Sequence, residues 1–418
     1  MGGGLIQLVA LGSQDVYLTG NPQITFFKAI YKRYSNFAKE CVEQPLDGSE
    51  PTNQDVRKQC ILTRNADLVQ EIYLKSSITL TCASGQFEPE LLDCTSLIKS
   101  VEVHIGGTRI DKHYSQWLDI YNELFEKNHK IRESLTTINF ENSVVPHTGT
   151  TNSGDIFIPL RFWFNRNPGL ALPLISLQYH EVSITFELSI KKLRGQLFTS
   201  SSATEKTIVP LTSSTPTSGN IQIKVENSKL LTNYIYLDTE ERRNFAQLDH
   251  EYLIEQVQFT GVENKNKFIM TFNHPIKALF WNIYKNDSSS SNNNVLNVND
   301  FKLTLNGHDR FTSQPYDYFH LIQQYECNLG NNFTMHNINR TWTFDCNRAS
   351  VSHNTALYSF CLHPQEFQPS GTCNFSRIDT AELNFTGFDS VNHSLYLFAL
   401  NYNVFKVIGG QGGLTYAN

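Results

Sequence analysis

The sequence predicts an all-β protein made of two tandem eight-stranded jelly-roll sandwiches, with short helices in the loops. Three observations lead there. First, the chain echoes itself. Val101 to Gly107 reads like Phe301 to Gly307: an alternating run enters a glycine turn and then an aromatic stretch, Tyr114, Trp117 and Tyr121 in one copy and Tyr316, Tyr318, Phe319 and Tyr325 in the other. Pro168-Gly169 followed by Tyr179 to Phe186 parallels Pro369-Ser370-Gly371 followed by Ile378 to Phe385, so order and offset are both kept. Second, short alternating runs are separated by Gly/Pro turn signals rather than by helical patterns, as in sandwiches and barrels. Third, 418 residues exceed one ordinary core and suit two.

Taken in order, residues 1–36 read as an arm. It ends in Phe26, Phe27, Lys28, Ile30, Tyr31, Lys32, Arg33 and Tyr34, a mixture of aromatics and positive charge that either docks on the chain itself or meets a partner or membrane. Residues 37–240 form the first jelly roll. Its expected strands include Ile72 to Leu80, Ile98 to Ile105, Ile156 to Phe164, Glu181 to Leu188 and Ile221 to Val225, with turns at Asp47-Gly48, Gly106-Gly107 and Asn167-Pro168-Gly169. Trp117, Ile120, Tyr121 and Leu124 fall at i, i+3, i+4 and i+7 and predict a helix whose apolar stripe packs on a sandwich. The Ser/Thr-rich stretch 199–220 is expected as a long surface loop, and Tyr234 to Leu237 as the closing strand. The charged stretch Asp238 to Arg243 marks the boundary. Residues 241–418 form the second jelly roll with a C-terminal tail, opening near Leu253 to Phe259 and closing with Tyr402 to Val407. Asp287 to Asn294 is too polar to bury and reads as a loop tip. The glycine clusters Gly2 to Gly4 and Gly409 to Gly413 read as flexible ends that allow close packing against neighbours.

Composition restricts function. A net charge of −6 argues against a protein that coats nucleic acid, which would need many cations to neutralise phosphates, and against wholesale adhesion to anionic lipid. No long uncharged apolar window predicts a membrane span, and no basic, apolar leader predicts secretion. Ile6 stands where a myristoylation signal wants Ser or Thr. The 8 cysteines show no C-x-x-C spacing and read as reduced, mostly buried thiols made in a cytoplasm.

No catalytic constellation emerges. His180-Glu181 and His250-Glu251 lack the second histidine of a zinc-protease helix, and neither a nucleophile elbow nor a phosphate loop occurs. A carboxylate pair for glycoside hydrolysis is the rival reading, which would make the chain a two-sandwich lectin or glycan hydrolase. N-x-S/T sequons occur at Asn286, Asn332, Asn339, Asn374, Asn384 and Asn392. Without a secretory leader they read as chance. Asn286, at a loop tip, is the candidate if any sugar is attached. Trp117, Phe162, Trp163, Phe164, Trp281 and Trp342 read as core, with some available as anchors of a subunit contact.

Leu8 to Lys28 resembles the N-terminus of the major capsid proteins of nucleocytoplasmic large DNA viruses, the algal-virus branch in particular. Gly106 to Tyr114, Pro168 to Ile175, Phe245 to Leu248, His250 to Gln256, Gln368 to Asp379 and Gly409 to Leu414 are similar to further stretches of that family. The motifs run the length of the chain, whereas the loops at 199–220 and 286–299 carry no stretch that resembles a named member. The resemblance implies a double jelly roll that forms homotrimeric, pseudo-hexagonal capsomers tiling an icosahedral shell over an internal membrane. It implies neighbouring capsomers as partners and an N-terminal arm on the inner face toward minor capsid proteins. Contact with the membrane would be only indirect, with none to nucleic acid. It further implies synthesis and assembly in host cytoplasm, with no catalysis and no cofactor. A minor capsid protein of the same fold is the nearest alternative.

Overall fold

A computed structural model describes residues 3–51, 54–82, 87–126, 129–139, 151–190, 194–199, 206–210, 221–263, 266–285, 300–329, 355–387 and 393–416. The chain divides into two compact units, Met1–Asn36 and Phe37–Asn418. The first carries two short helices, α1 (Gly3–Val9) and α2 (Val16–Thr19). Asp15 closes the turn before α2 by accepting from the Gly12 N–H at 2.7 Å.

The second unit holds two sandwiches of the same topology. The principal strands of the first are β1 (Phe37–Pro45), β2 (Val56–Ile61), β3 (Leu68–Cys82), β4 (Ile98–Ile105), β5 (Thr108–Tyr114), β6 (Thr151–Pro159), β7 (Val182–Leu188) and β8 (Ile221–Leu237). Those of the second are β9 (His250–Glu263), β10 (Lys267–Met270), β11 (Pro275–Lys285), β12 (Asp300–Leu305), β13 (His308–Asp309), β14 (Thr355–Ser359), β15 (Ala381–Phe385) and β16 (His393–Ile408). The first sandwich has sheets ordered β1-β8-β3-β6 and β2-β7-β4-β5, and the second β9-β16-β11-β14 and β10-β15-β12-β13. Adding eight to each strand number converts one sandwich into the other. This is the jelly-roll order, and the double jelly roll is the fold of the chain.

The echo seen in sequence is the same register in both copies. Val182 faces Ile105 across β7 and β4, and Ala381 faces Leu305 across β15 and β12. Each strand then turns through two residues of positive φ, Gly106-Gly107 and Asn306-Gly307, the conformation that two-residue hairpins need and that Gly and Asn tolerate. Alternation does the rest: Val101, Val103 and Ile105 face the first core, Phe301 and Leu303 the second.

Three sequence expectations change, and the boundary stretch takes a form the sequence left unspecified. Ile156 to Phe164 is a strand only to Pro159. Asn165 Oδ1 accepts from the Phe162 N–H at 3.1 Å and starts the one-turn helix α4 (Trp163–Arg166). That turn buries Phe162, Trp163 and Phe164 together, which an alternating strand cannot do. Ile221 to Val225 and Tyr234 to Leu237 are not separate strands but parts of β8. Its register with β3 shifts between Glu226 and Lys229, where Asn227 takes a φ of 54° and a bulge carries the strand on. The expected loop 199–220 contains a strand, Lys206–Pro210. It joins Arg194–Thr199, Phe87–Asp93 and Thr137–Asn139 in a further sheet built from the connections that leave the same end of the first sandwich. The charged stretch at 238–243, expected as the boundary, opens a helix, α5 (Thr239–Gln247), whose N-terminus is capped by the Asp238 carboxylate.

Candidate assembly surfaces

The arm carries many exposed apolar side chains. Every described residue of α1 and α2 is exposed. In the stretch that follows, Phe26 is 88 % and Phe27 97 % exposed, with Ile30, Tyr31 and Tyr34 close behind. Each such side chain forgoes about 1.5–3 kcal/mol by staying in water. Lys28, Lys32 and Arg33 stand among them. A segment of this kind is built to be covered by something else.

The body has its own apolar end. Register places the start of β1, the end of β2, the end of β4, the start of β7 and the end of β8 at one end of the first sandwich. Exposed Phe37, Ile61 and Tyr179 lie there. At the corresponding end of the second sandwich are exposed Ile269, Leu362 and Ile408.

The two ends are pinned side by side by the C-terminal hairpin. Gly409-Gly410, with φ of 57° and 83°, turns β16 into β17 (Gln411–Leu414). The Gly410 carbonyl accepts from the Tyr179 N–H at 3.0 Å, and the Gly412 N–H donates to His180 Nδ1 at 3.2 Å. A Cβ at Gly412 would sit 2.6 Å from Leu177 Cδ2, and one at Gly410 2.7 Å from the Tyr179 ring. The glycines expected to form a flexible end are therefore an ordered clasp, small because the first sandwich lies against them.

Between the sandwiches runs a buried seam. Helix α3 (Ser115–Leu124) is the one predicted from the Trp117 stripe, and that stripe packs on the second sandwich, not its own. Trp117 meets Phe280 edge-on at 5.5 Å and Phe398 at 5.9 Å. Alternate residues explain it: Leu395, Leu397 and Ala399 of β16 fill the second core, while Phe398 and Leu400 face the seam with Trp117, Ile120 and Leu124.

The seam also holds charge. Lys277 Nζ sits 2.5 Å from Glu255 Oε1, and Arg166 of the first sandwich sits 2.8 Å from Glu255 Oε2. Lys277 Nζ also donates to the Glu366 carbonyl at 2.6 Å. Asp111 Oδ1 accepts from the Val257 N–H at 3.1 Å, and Asn403 orients Gln256, whose amide donates to the Ile110 carbonyl. At the far end of α3, Thr355 Oγ1 donates to Glu123 Oε2 at 2.5 Å, and burial pushes the Glu123 carboxyl up to about 8. These polar groups cross from one sandwich to the other and fix their relative placement.

The residues considered for chemistry take structural posts. His180 holds the tail hairpin, His250 Nε2 lies 2.8 Å from the Phe245 carbonyl oxygen, and Glu251 pairs with Lys406. Trp117, Trp163 and Trp281 are buried, as are Cys60, Cys94, Cys327 and Cys361, whereas Cys41 is exposed. Of the sequons, Asn374 lies beside β14's partner strand and accepts from the Ser376 N–H, and Asn384 lies within β15. Asn286, Asn332, Asn339, Asn392 and Trp342 lie outside the described residues, as do Asp287 to Asn294. Sequence reasoning missed the Arg166–Glu255–Lys277 cluster and Glu123. The available signal was a lone lysine in the apolar run Pro275 to Trp281 and a lone glutamate in Tyr252 to Val257.

Comparison with known proteins bears on these surfaces. The family described as major capsid protein N-terminus matches residues 25–238, and that described as large eukaryotic DNA virus major capsid protein matches 241–330 and 347–413. A major capsid protein of Pyramimonas orientalis virus is 44% identical over 434 residues, with 100% of each chain covered. That of Paramecium bursaria Chlorella virus 1 is 36% identical, again over 100% of each. Among solved structures, a chain of the PBCV-1 virus capsid aligns with a TM-score of 0.67 at 30% identity, covering 94% of this chain and 100% of its own. The Faustovirus major capsid protein, at 13% identity and a TM-score of 0.64 over 95% of this chain and 94% of its own, shares the fold.

Proposed function

The chain belongs to the major capsid protein family of large eukaryotic DNA viruses, and from that premise we propose that three copies associate into a pseudo-hexagonal capsomer. It is a structural protein of the virion capsid and not an enzyme. The observation that carries the trimer is the equality of strand order between β1–β8 and β9–β16. Two like blocks per chain become six like blocks in a three-fold ring, which presents near-six-fold edges to neighbouring capsomers. The seam makes each pair of blocks one rigid tile, so geometry set within the chain passes into the lattice.

In this reading residues 1–36 are the arm, 37–240 the first block and 241–418 the second with its tail. The exposed aromatics of the arm support a role toward minor capsid proteins on the inner face. The charge of −6 supports a shell with no direct contact to nucleic acid and only an indirect one to an internal membrane. Reduced thiols fit synthesis and assembly in host cytoplasm. Asn286, which follows β11 in the sequence, is the proposed acceptor if sugar is attached. Negative-stain imaging of the purified chain tests the capsomer. Three-fold particles with a hexagonal outline are expected, and single two-lobed particles would refute it.

A further inference from the structure

The contact by which the first sandwich docks on the second has counterparts that stay exposed. Helix α3 follows β5 with Leu118 in the first core and Trp117, Ile120 and Leu124 in the seam. Its stripe lies on the outer face of the sheet β9-β16-β11-β14. Two rows paired across that sheet form the floor: Leu400 opposite Ala278, and Phe398 opposite Phe280 with Leu357 beyond. Among the described strands β9 pairs with β16 alone, and its other edge meets the first sandwich, where Asp111 of β5 accepts from the Val257 N–H.

The second sandwich carries the same projection. After β13 come two joined helical turns, Tyr318–Ile322 and Gln323–Glu326. Phe319 enters the second core as Leu118 enters the first. Counted from those two residues, Trp117, Ile120, Tyr121 and Leu124 correspond to Tyr318, Leu321, Ile322 and Tyr325. In α3 the stripe is covered; here Ile322 is 48 % and Tyr325 83 % exposed. The first sandwich carries the same floor. The Leu160 N–H donates to the Ile72 carbonyl as the Phe360 N–H does to that of Lys277, which aligns Tyr73 with Ala278 and Lys75 with Phe280. Register carries the match across the sheet. Leu231, opposite Tyr73, stands for Leu400; Lys229, opposite Lys75, for Phe398; and Phe157 for Leu357. Tyr73, Leu231 and Phe157 remain half-exposed, and β1 pairs with β8 alone among the described strands. Lys75 and Lys229 share the one carboxylate of Glu43, so this corner of the floor is positive. The exposed turns bring the acids Asp317 and Glu326.

We propose that the turns 318–326 of one copy dock on the outer face of β1-β8-β3-β6 of a second copy, with Ile322 and Tyr325 seated over Tyr73, Leu231 and Phe157. The contact rests on the capsomer reading and names the residues that hold it. It repeats between chains what α3 does within one. Such a contact is heterologous: each copy gives its turns to one neighbour and receives those of the other, which closes a ring. Six like steps complete it, alternately within a chain and between chains. Apolar and aromatic side chains seat at the centre, and the acids of the turns approach the lysines at the rim.

The test is light scattering of the full chain and its variants over a dilution series, with circular dichroism to show that each is folded. Ile322→Asp combined with Tyr325→Asp places charge on two exposed side chains, so the chain should fold. The concentration at which its trimer dissociates should rise by about a hundredfold or more. Leu231→Asp should do the same from the receiving face; if it does not fold, Lys229→Glu at an exposed position takes its place. Ile269→Asp, at an exposed apolar residue outside the contact, should leave the trimer as it is. Mixing the turn variant with the face variant should give a dimer of one of each, because one intact set of turns then meets one intact face. A wild-type monomer would refute the capsomer reading and this contact with it. A wild-type trimer that the turn variant keeps would overturn the contact alone. So would a mixed pair that stays monomeric, or equal dissociation by Ile269→Asp.

Discussion

Lys277 shows how much a single residue carries in this chain. It is 1 % exposed, in a strand otherwise filled with Ile276, Ala278, Leu279, Phe280 and Trp281. A buried ammonium is tolerable because Glu255 neutralises it and the Glu366 carbonyl accepts a hydrogen bond from it. Glu255 in turn is shared with Arg166, so one carboxylate binds a cation from each sandwich. Lys277→Met keeps the length of the side chain and removes the charge. It should destabilise by about 3–5 kcal/mol, because the hydrogen-bonded partners remain buried without it. Calorimetry would show this as a lowered unfolding transition, and an unchanged transition would mean that the cluster contributes nothing. In sequence the lysine is visible as an interruption of an apolar run. Its meaning is not, because Arg166 and Glu366 lie far away along the chain and only the fold brings them together. Gly412 is similar: the glycine is legible, but its reason, the Leu177 and Phe405 side chains within 3 Å of any added Cβ, is not.

Elements were legible where one face is wet. β4, β7 and β12 alternate because one side faces a core, and the pattern places them within a residue or so. Where several buried faces meet, the pattern loses its period. The run Ile156 to Phe164 is apolar but for Arg161, and the Asn165 side chain, bonding back to the Phe162 N–H, shows where strand becomes helix. The sequence shows β8 as two separate runs; pairing with β3 on both sides of Glu226, Asn227 and Ser228 carries the strand through them as a bulge. Helix α3 was found by its stripe, but a stripe does not say which sandwich it faces. The arm is the element whose exposure has no internal explanation. Deleting residues 1–36 should leave the trimer and its unfolding transition in place and abolish incorporation into shells, as sedimentation of assembled particles would show. Loss of the trimer itself would place the arm in the subunit contact instead.

At the scale of the molecule, duplication is the fact from which assembly follows. The echo between Val101 to Gly107 and Phe301 to Gly307 was enough to predict two like sandwiches, since a repeated strand–turn–aromatic order at constant offset requires a repeated fold. What the echo could not supply is the join. The C-terminal hairpin, helix α3 and the Arg166–Glu255–Lys277 cluster reach from one copy to the other and make two blocks into one tile. In the proposed capsomer, a tile with two like halves closes a hexagonal outline with three copies. The mass of the purified chain in solution, by light scattering, tests this most directly. The account predicts a stable species of three chains of 47.7 kDa, about 143 kDa, that does not dissociate on dilution. A well-folded monomer, obtained with any required assembly chaperone present, would contradict it.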